Sequence, residues 1–257
     1  MKKILLTATF LTCLFAANAQ TTDLIVSDSS RLSSQVAPKP PKDLSQLNFG
    51  NRSDDHFMLQ YGADTWTGTN DSVSPKGFSR FFNAYIMLDK RFKNNPRFSV
   101  GLGAGIGSSN MFFENTNVDV RSTVNKLPFQ RVDTTNHFKK FKLTTIYLEA
   151  PLELRFSSRP EQSNGSFKVA LGVKVGTLLK AYTKGKTLQD KNGNTINDYI
   201  EKQSSKRYFN STKLAATFRI GYGIFSLYGA YQVTGLLKDG AGPDVKPYSI
   251  GLAISGL

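Results

Sequence analysis

From about residue 56 onward, apolar and polar positions alternate with a period of two. In 144–156, Thr144, Ile146, Leu148, Ala150, Leu152, Leu154 and Phe156 fall on one face, and Thr145, Tyr147, Glu149, Pro151, Glu153 and Arg155 on the other. Successive side chains of a strand point to opposite faces, so this pattern predicts a strand with a greasy side and a charged side. Segment 167–182 sorts Phe167, Val169, Leu171, Val173, Val175 and Leu179 from Lys168, Gly172, Lys174, Gly176 and Lys180. Segment 98–107 sorts Phe98, Val100, Leu102, Ala104 and Ile106 from Ser99 and the glycines at 101, 103, 105 and 107. Five noisier segments behave alike: 56–66, 78–90, 212–221, 224–234 and 247–256. In 212–221, Leu214, Ala216, Phe218 and Ile220 oppose Lys213, Ala215, Thr217 and Arg219.

That makes eight strands, most of ten residues or longer. A tilted strand crossing a bilayer needs about 9–11 residues, whereas soluble strands average about five or six. The connections run 67–77, 91–97, 108–137, 157–166, 183–211, 222–223 and 235–246, and the third and fifth are much the longest. Long outer loops alternating with short periplasmic turns are the pattern of an outer-membrane barrel. The expected fold is all-β: an eight-stranded antiparallel up-and-down transmembrane barrel with both termini in the periplasm. A soluble barrel or sandwich has no reason to sort its loops this way.

The N-terminal stretch changes the picture of location. "MKK", the apolar run "ILLTATFLTCLFAA" and "ANA" read as a secretory signal over 1–19. Residues 20–54 are polar, contain "VAPKPPKDL" and lack periodicity, the signature of a flexible periplasmic leader. The barrel domain is then 55–257. The single cysteine, Cys13, lies inside the signal, so the mature chain is expected to carry no thiol. Without Lys2 and Lys3 the 33 basic residues fall to 31 against 19 acidic ones, a formal charge of +12. For an exported protein, lipid or lipopolysaccharide phosphates are better partners than nucleic acid.

Candidate chemistry is sparse. An eight-stranded barrel is just wide enough for side chains to fill it, so Glu149, Glu153, Arg155, Lys174 and Arg219 are expected to form a lumen charge network. A narrow ion or solute path through that lumen is the alternative. The loop 183–211 carries Lys184, Lys186, Lys191, Lys202, Lys206 and Arg207, a candidate basic outer surface. The other long loop, 108–137, carries Met111, Phe112, Phe113, Leu127, Pro128 and Phe129 among charged residues and is the second candidate for an outer functional surface. His56 and His137 fall at opposite barrel ends, and His137 has no evident partner for a rim lipid A hydrolase, so catalytic residues are expected to be none. No cofactor or metal is expected either. "DKNGN" at 190–194 lacks the downstream glutamate of a calcium loop and reads as a hairpin turn. Pro151 lies mid-strand and predicts a bulge or weakened pairing at 150–152.

The segments "YLEAPLELRF", "FKVALGVKVGTLLKAYTKGK" and "GYGIFSLYGAYQVTGLLKDGAGPDVKPYSIGLAISGL" resemble the PorT-like outer-membrane β-barrel family. The tyrosine-led strand is similar to that family's Y-L-E-x-P strand, and the ending to its last hairpin. The resemblance covers about residues 50 to 257 and departs from many bacterial barrels in ending on Leu257 rather than an aromatic. It implies a single barrel in the cell outer membrane, in a family whose name-giving member is associated with protein secretion. The expected function is that of a monomeric, non-enzymatic barrel with a structural, adhesion or secretion/envelope-complex role, its loops meeting envelope proteins or lipopolysaccharide.

Overall fold

The computed structural model describes residues 57–68, 78–132, 135–160 and 165–255, all within one compact unit, Phe49–Leu257. The signal 1–19, the leader 20–54 and His56 lie outside the described residues. Eleven strands occur among the described residues: β1 (Phe57–Thr67), β2 (Ser79–Arg91), β3 (Phe98–Phe113), β4 (Thr116–Val118), β5 (Phe129–Arg131), β6 (His137–Ser157), β7 (Phe167–Gln189), β8 (Thr195–Ser204), β9 (Thr212–Tyr222), β10 (Phe225–Gln232) and β11 (Lys246–Ser255). Eight close into an antiparallel ring in the order β6-β3-β2-β1-β11-β10-β9-β7, with β7 returning to β6. Closure removes every unpaired edge from the ring.

The ring strands coincide with the eight expected segments, with one physical difference. β3, β6 and β7 run well past their expected ends, so that strand takes up most of the expected loop 183–211 and enters the expected loop 108–137 at both ends and in the short β4 and β5. Phe113 pairs with Phe141 and His137 with Gln189, while β8 adds to the far half of β7, from Tyr182 to Gln189. The outward apolar pattern ends there because the outward positions turn polar, as at Lys140, Lys142 and Lys184, while Met111, Phe113, Phe141 and Leu143 are buried on the inner face, so the signal changes sense before the hydrogen bonding ends.

Alternation within the ring separates two environments. Leu148, Leu152 and Leu154 of β6 point outward with Leu171, Val173 and Val175 of β7, about half or more of each side chain being exposed. Outward apolar positions on β6 run from Phe156 to Ile146, about 34 Å of strand, or about 26 Å along the barrel axis at a tilt of roughly 40°. That height matches the hydrocarbon thickness spanned by outer-membrane barrels.

Inside, the glycine face of β3 has a specific purpose. A Cβ at Gly101 would lie 2.6 Å from Nε of Arg155, and one at Gly107 would lie 2.5 Å from a carboxylate oxygen of Glu149. The bare backbone of β3 is therefore the wall against which the charged side chains of β6 lie flat.

One bulge re-aims side chains, and one proline interrupts a ladder. Ile146 pairs with Lys180 but Tyr147 with Leu178, so Leu179 is an extra residue in β7. Such a bulge reverses the alternation beyond it. Ala181 and Thr183 consequently point inward, and Lys180, which simple alternation assigns to the lumen face, is exposed outside. Pro151 is buried on the lumen side, and its ladder to β7 is unbroken. The ladder to β3 instead skips two pairs, resuming at Leu102–Leu152 and Gly105–Glu149 without a register shift. Pro151 thus weakens pairing on one side only, where its missing N–H faces Gly103, and produces no bulge.

A test follows from the β3 wall. Gly107→Leu overpacks the lumen against Glu149 and is expected to destabilise the barrel by about 1–3 kcal/mol or more. Urea unfolding of the vesicle-inserted protein, followed by heat-modifiable gel mobility, reads this as a lowered midpoint; an unchanged midpoint contradicts the packing described.

Candidate functional site

The lumen gathers ionisable groups of both signs, and it is organised in layers. At the centre stands Glu149 of β6. It accepts hydrogen bonds from the Tyr85 hydroxyl of β2 at 2.5 Å and from Lys213 Nζ of β9 at 2.8 Å, and it pairs with Lys174 Nζ of β7 at 3.0 Å. Lys174 also donates to the hydroxyls of Tyr85 at 3.1 Å and Tyr228 of β10 at 3.3 Å. Glu149 is 1 % exposed and Lys174 3 %. Burying either charge alone costs several kcal/mol, so two cations and a phenol around one carboxylate are what make its burial tolerable.

Toward the short-turn end lies a second layer around Glu153. Arg219 of β9 grips it through two bonds, Nη2 at 2.6 Å and Nε at 3.2 Å, and Arg155 Nε adds a third at 3.0 Å. Arg219 also donates to Ser255 Oγ of β11 at 3.3 Å, and Arg155 reaches Asp89 of β2 at 3.5 Å. The bidentate Arg219–Glu153 fork fixes geometry as well as charge. On the other side of Glu149, Asp64 of β1 accepts hydrogen bonds from Ser109 of β3 and Ser249 of β11. Some of these bonds join neighbouring strands, as Asp64–Ser249 and Glu149–Lys174 do, while those of Glu149 to Tyr85 and Lys213 and of Glu153 to Arg219 bridge strands that are not paired with each other.

Above Asp64 the chemistry changes from ionic to apolar. Trp66, Met111, Phe113, Val118, Val120, Leu127, Phe141, Leu143, Tyr208, Phe209 and Leu237 belong to one buried cluster inside the long-loop end. The β4–β5 hairpin and the segments 205–211 and 235–245 fold inward to form it. Tyr208 Oη donates to the Ser122 carbonyl at 2.6 Å, Leu127 N–H to the Ala241 carbonyl at 2.7 Å, and Asn210 N–H to the Leu236 carbonyl at 2.9 Å. Trp66 meets Phe113 edge-on at 5.6 Å between ring centroids. The space between this cap and the ionic layer measures about 20 Å³ and is lined by Asp64, Ser109, Tyr147, Lys174 and Lys213. That holds about one water.

The five residues expected in the lumen, Glu149, Glu153, Arg155, Lys174 and Arg219, are thus all placed there, divided between two layers. Missing from that set were Lys213, which shares the face of Arg219, and Asp64, Asp89, Tyr85 and Tyr228. The tyrosines escaped because β2 and β10 carry aromatic residues on both faces, which hides which ring points in. The apolar residues expected on an outer functional surface are a correction: Met111, Phe113 and Leu127 are nearly fully buried in the cap. The expected basic surface is split. Lys184, Lys186 and Lys202 lie on the β7–β8 extension, Lys191 at its tip, and Lys206 and Arg207 on the cap segment, where Arg207 donates to the Ser122 carbonyl at 3.5 Å.

At the β7–β8 tip, the Asp190 carboxylate accepts the side-chain amide of Asn194 at 3.1 Å and the backbone N–H groups of Asn192 and Asn194 at 2.8 Å. These bonds, the Asn194 side chain foremost, hold its carboxyl below the usual value. With Gly193 at φ 84°, this is a hairpin turn whose acidic group is occupied by its own backbone. Among the described residues no group of three or more His, Cys, Asp or Glu converges as a metal site. His137 stands at the start of β6 with Nδ1 3.2 Å from the Thr135 carbonyl.

A closed antiparallel ring with an apolar outer band and a charge-paired interior defines a membrane-spanning β-barrel. The chain belongs to the outer membrane protein beta-barrel domain family, whose model matches residues 46–236, and its location is accordingly the outer membrane. No curated protein matches it.

The Glu153 layer is open to a direct test. Glu153→Leu leaves Arg155 and Arg219 facing each other without their shared carboxylate, and the expected loss is about 3–5 kcal/mol of stability. Glu153→Leu with Arg219→Leu is expected to recover part of it, because one stranded charge leaves with its partner. Unfolding midpoints of both variants decide; a double variant less stable than the single one contradicts the pairing.

Proposed function

We propose that the protein is a sealed, non-enzymatic outer-membrane barrel of the PorT-like kind, acting as a monomer in a structural, adhesive or secretion-complex role. The observation that carries this reading is the double closure of the lumen: two ionic layers across the middle and an apolar cap above them. Carboxylates committed to two or more cations or hydroxyls are poorly placed to act as bases or to pass ions. The Y-L-E-x-P resemblance also acquires a physical meaning, since Tyr147 borders the cap, Glu149 centres the network and Pro151 faces Gly103.

Orientation belongs to the same proposal. Phe57 and Ser255 lie at the end of the ring that carries the short turns, such as Gly223–Ile224 between β9 and β10. Short turns face the periplasm in outer-membrane barrels, so on this reading both ends of the ring lie on the periplasmic side and the cap faces outward. Envelope proteins and outer-leaflet lipid are then the partners within reach.

Planar-bilayer recording of the full chain tests the closure. The expected trace shows no defined single-channel steps; discrete steps that disappear in Glu149→Ala would replace this reading with that of a narrow channel.

A further inference from the structure

The outward wall just above the apolar band carries a feature that neither the seal nor the cap uses. Phe112, Lys142, Lys184 and Lys202 are successive cross-strand partners on β3, β6, β7 and β8, so three lysines stand side by side in one row. Directly opposed like charges destabilise a sheet pair. The next row toward the tip repeats the problem, with Lys140 paired to Lys186. Two rows nearer the band, the bulge at Leu179 turns Lys180 outward as well.

Aromatic rings floor this patch. The Arg80 guanidinium lies 5.7 Å from the Phe78 ring and 5.8 Å from the Phe112 ring, and Lys142 Nζ lies 5.7 Å from Phe112. Lys202 Nζ sits 4.3 Å from the centre of the Tyr182 ring. Lys142 is further held by Asn110 Oδ1 at 2.7 Å. Among the described residues, no carboxylate forms an ion pair with Arg80, Lys142, Lys184 or Lys202. Burial foremost, and after it the positive charges of Lys184, Arg80 and Lys202, lower the pKa of Lys142 against an opposing contribution of Tyr182. The side chains are therefore positioned by rings and an amide while their charges are left uncompensated.

Height decides what compensates them. Lys142 is four residues beyond Ile146, the last apolar outward position of β6, hence about 10 Å above it along the axis. Lipid headgroups occupy that zone, and lysine stems reach downward toward it. We infer that Arg80, Lys142, Lys184 and Lys202, flanked by Lys140, Lys180 and Lys186, form a binding site for the phosphate groups of a phosphorylated outer-leaflet glycolipid, seated on the barrel wall rather than on the loop tips. The inference rests on the outward orientation of the long-loop end. Its ligand lies beside the barrel with acyl chains along the apolar band and phosphates across the lysine row.

The test uses the full chain in detergent with bisphosphorylated lipid A, dephosphorylated lipid A and inorganic phosphate as probes, read by the temperature of heat-modifiable unfolding. Bisphosphorylated lipid A is expected to raise that temperature, and the other two to leave it unchanged. Lys142→Gln/Lys184→Gln/Lys202→Gln is expected to weaken the effect at least tenfold, whereas the corresponding Arg triple variant retains it and shows that the barrel tolerates substitution there. Lys191→Gln/Lys206→Gln is expected to bind as the parent does. A triple Gln variant that binds like the parent, or a response to inorganic phosphate or dephosphorylated lipid as large as that to lipid A, overturns the site. Labelling of a Lys191→Cys variant on intact cells by an impermeant thiol reagent, against the parent chain, tests orientation separately. Labelling supports it, and protection overturns the outer-leaflet source even if phosphate selectivity in detergent survives.

Discussion

A barrel of eight strands encloses a space scarcely wider than two facing side chains, and this one fills it with ions. Glu149 and Glu153 are almost wholly buried, and each survives there only because cations from other strands reach it. The remaining architecture follows from that requirement. The glycines of β3 give Glu149 and Arg155 room to lie against the wall, and Lys174, Lys213 and Arg219 must arise from β7 and β9 in register with them. The tyrosines of β2 and β10 complete the hydrogen bonding of Lys174 from the opposite side. An apolar lumen of the same volume would be easier to desolvate, but it would not tie specific strands together. The ionic layers fix which strand faces which.

The cap solves a different problem. Where the ring opens into the long connections, the lumen could fill with water and the network could be solvated from above. The inward fold of the β4–β5 hairpin and of 205–211 and 235–245 places a seventeen-residue apolar cluster there instead. Hydrogen bonds between loop backbones, such as Leu127 to Ala241 and Asn210 to Leu236, close the polar groups that such a fold would otherwise strand. The low dielectric beneath it strengthens every ion pair below.

Much of this was readable from the residues because the membrane imposes a period of two over long strands. Lipid on one side and charge on the other separated Leu148 and Leu152 from Glu149 and Glu153 without any knowledge of their neighbours. Alternation has no information about pairing partners, so Lys213 and Arg219 looked equivalent although one serves Glu149 and the other Glu153. It also failed where a single residue was inserted: Lys180 changes sides because of Leu179, and no composition signal marks that bulge. The cap was misread for a third reason. Met111, Phe113 and Leu127 lie among charged residues in the chain, and only the tertiary fold of three distant segments removes them from water. Pro151 was a correct warning of weakened pairing, but which neighbour loses the bonds depends on the direction of its absent N–H.

The central claim is that the two ionic layers and the cap above them close the middle of the lumen to solutes. Thr217 lies on β9 between Ala215 and Arg219, facing inward beside Gly172, and is 7 % exposed. In a Thr217→Cys variant reconstituted in vesicles and treated with an impermeant thiol reagent on both faces, the account predicts no modification above the parent chain until the barrel is unfolded. Modification of the folded protein at the rate of an exposed thiol would contradict it.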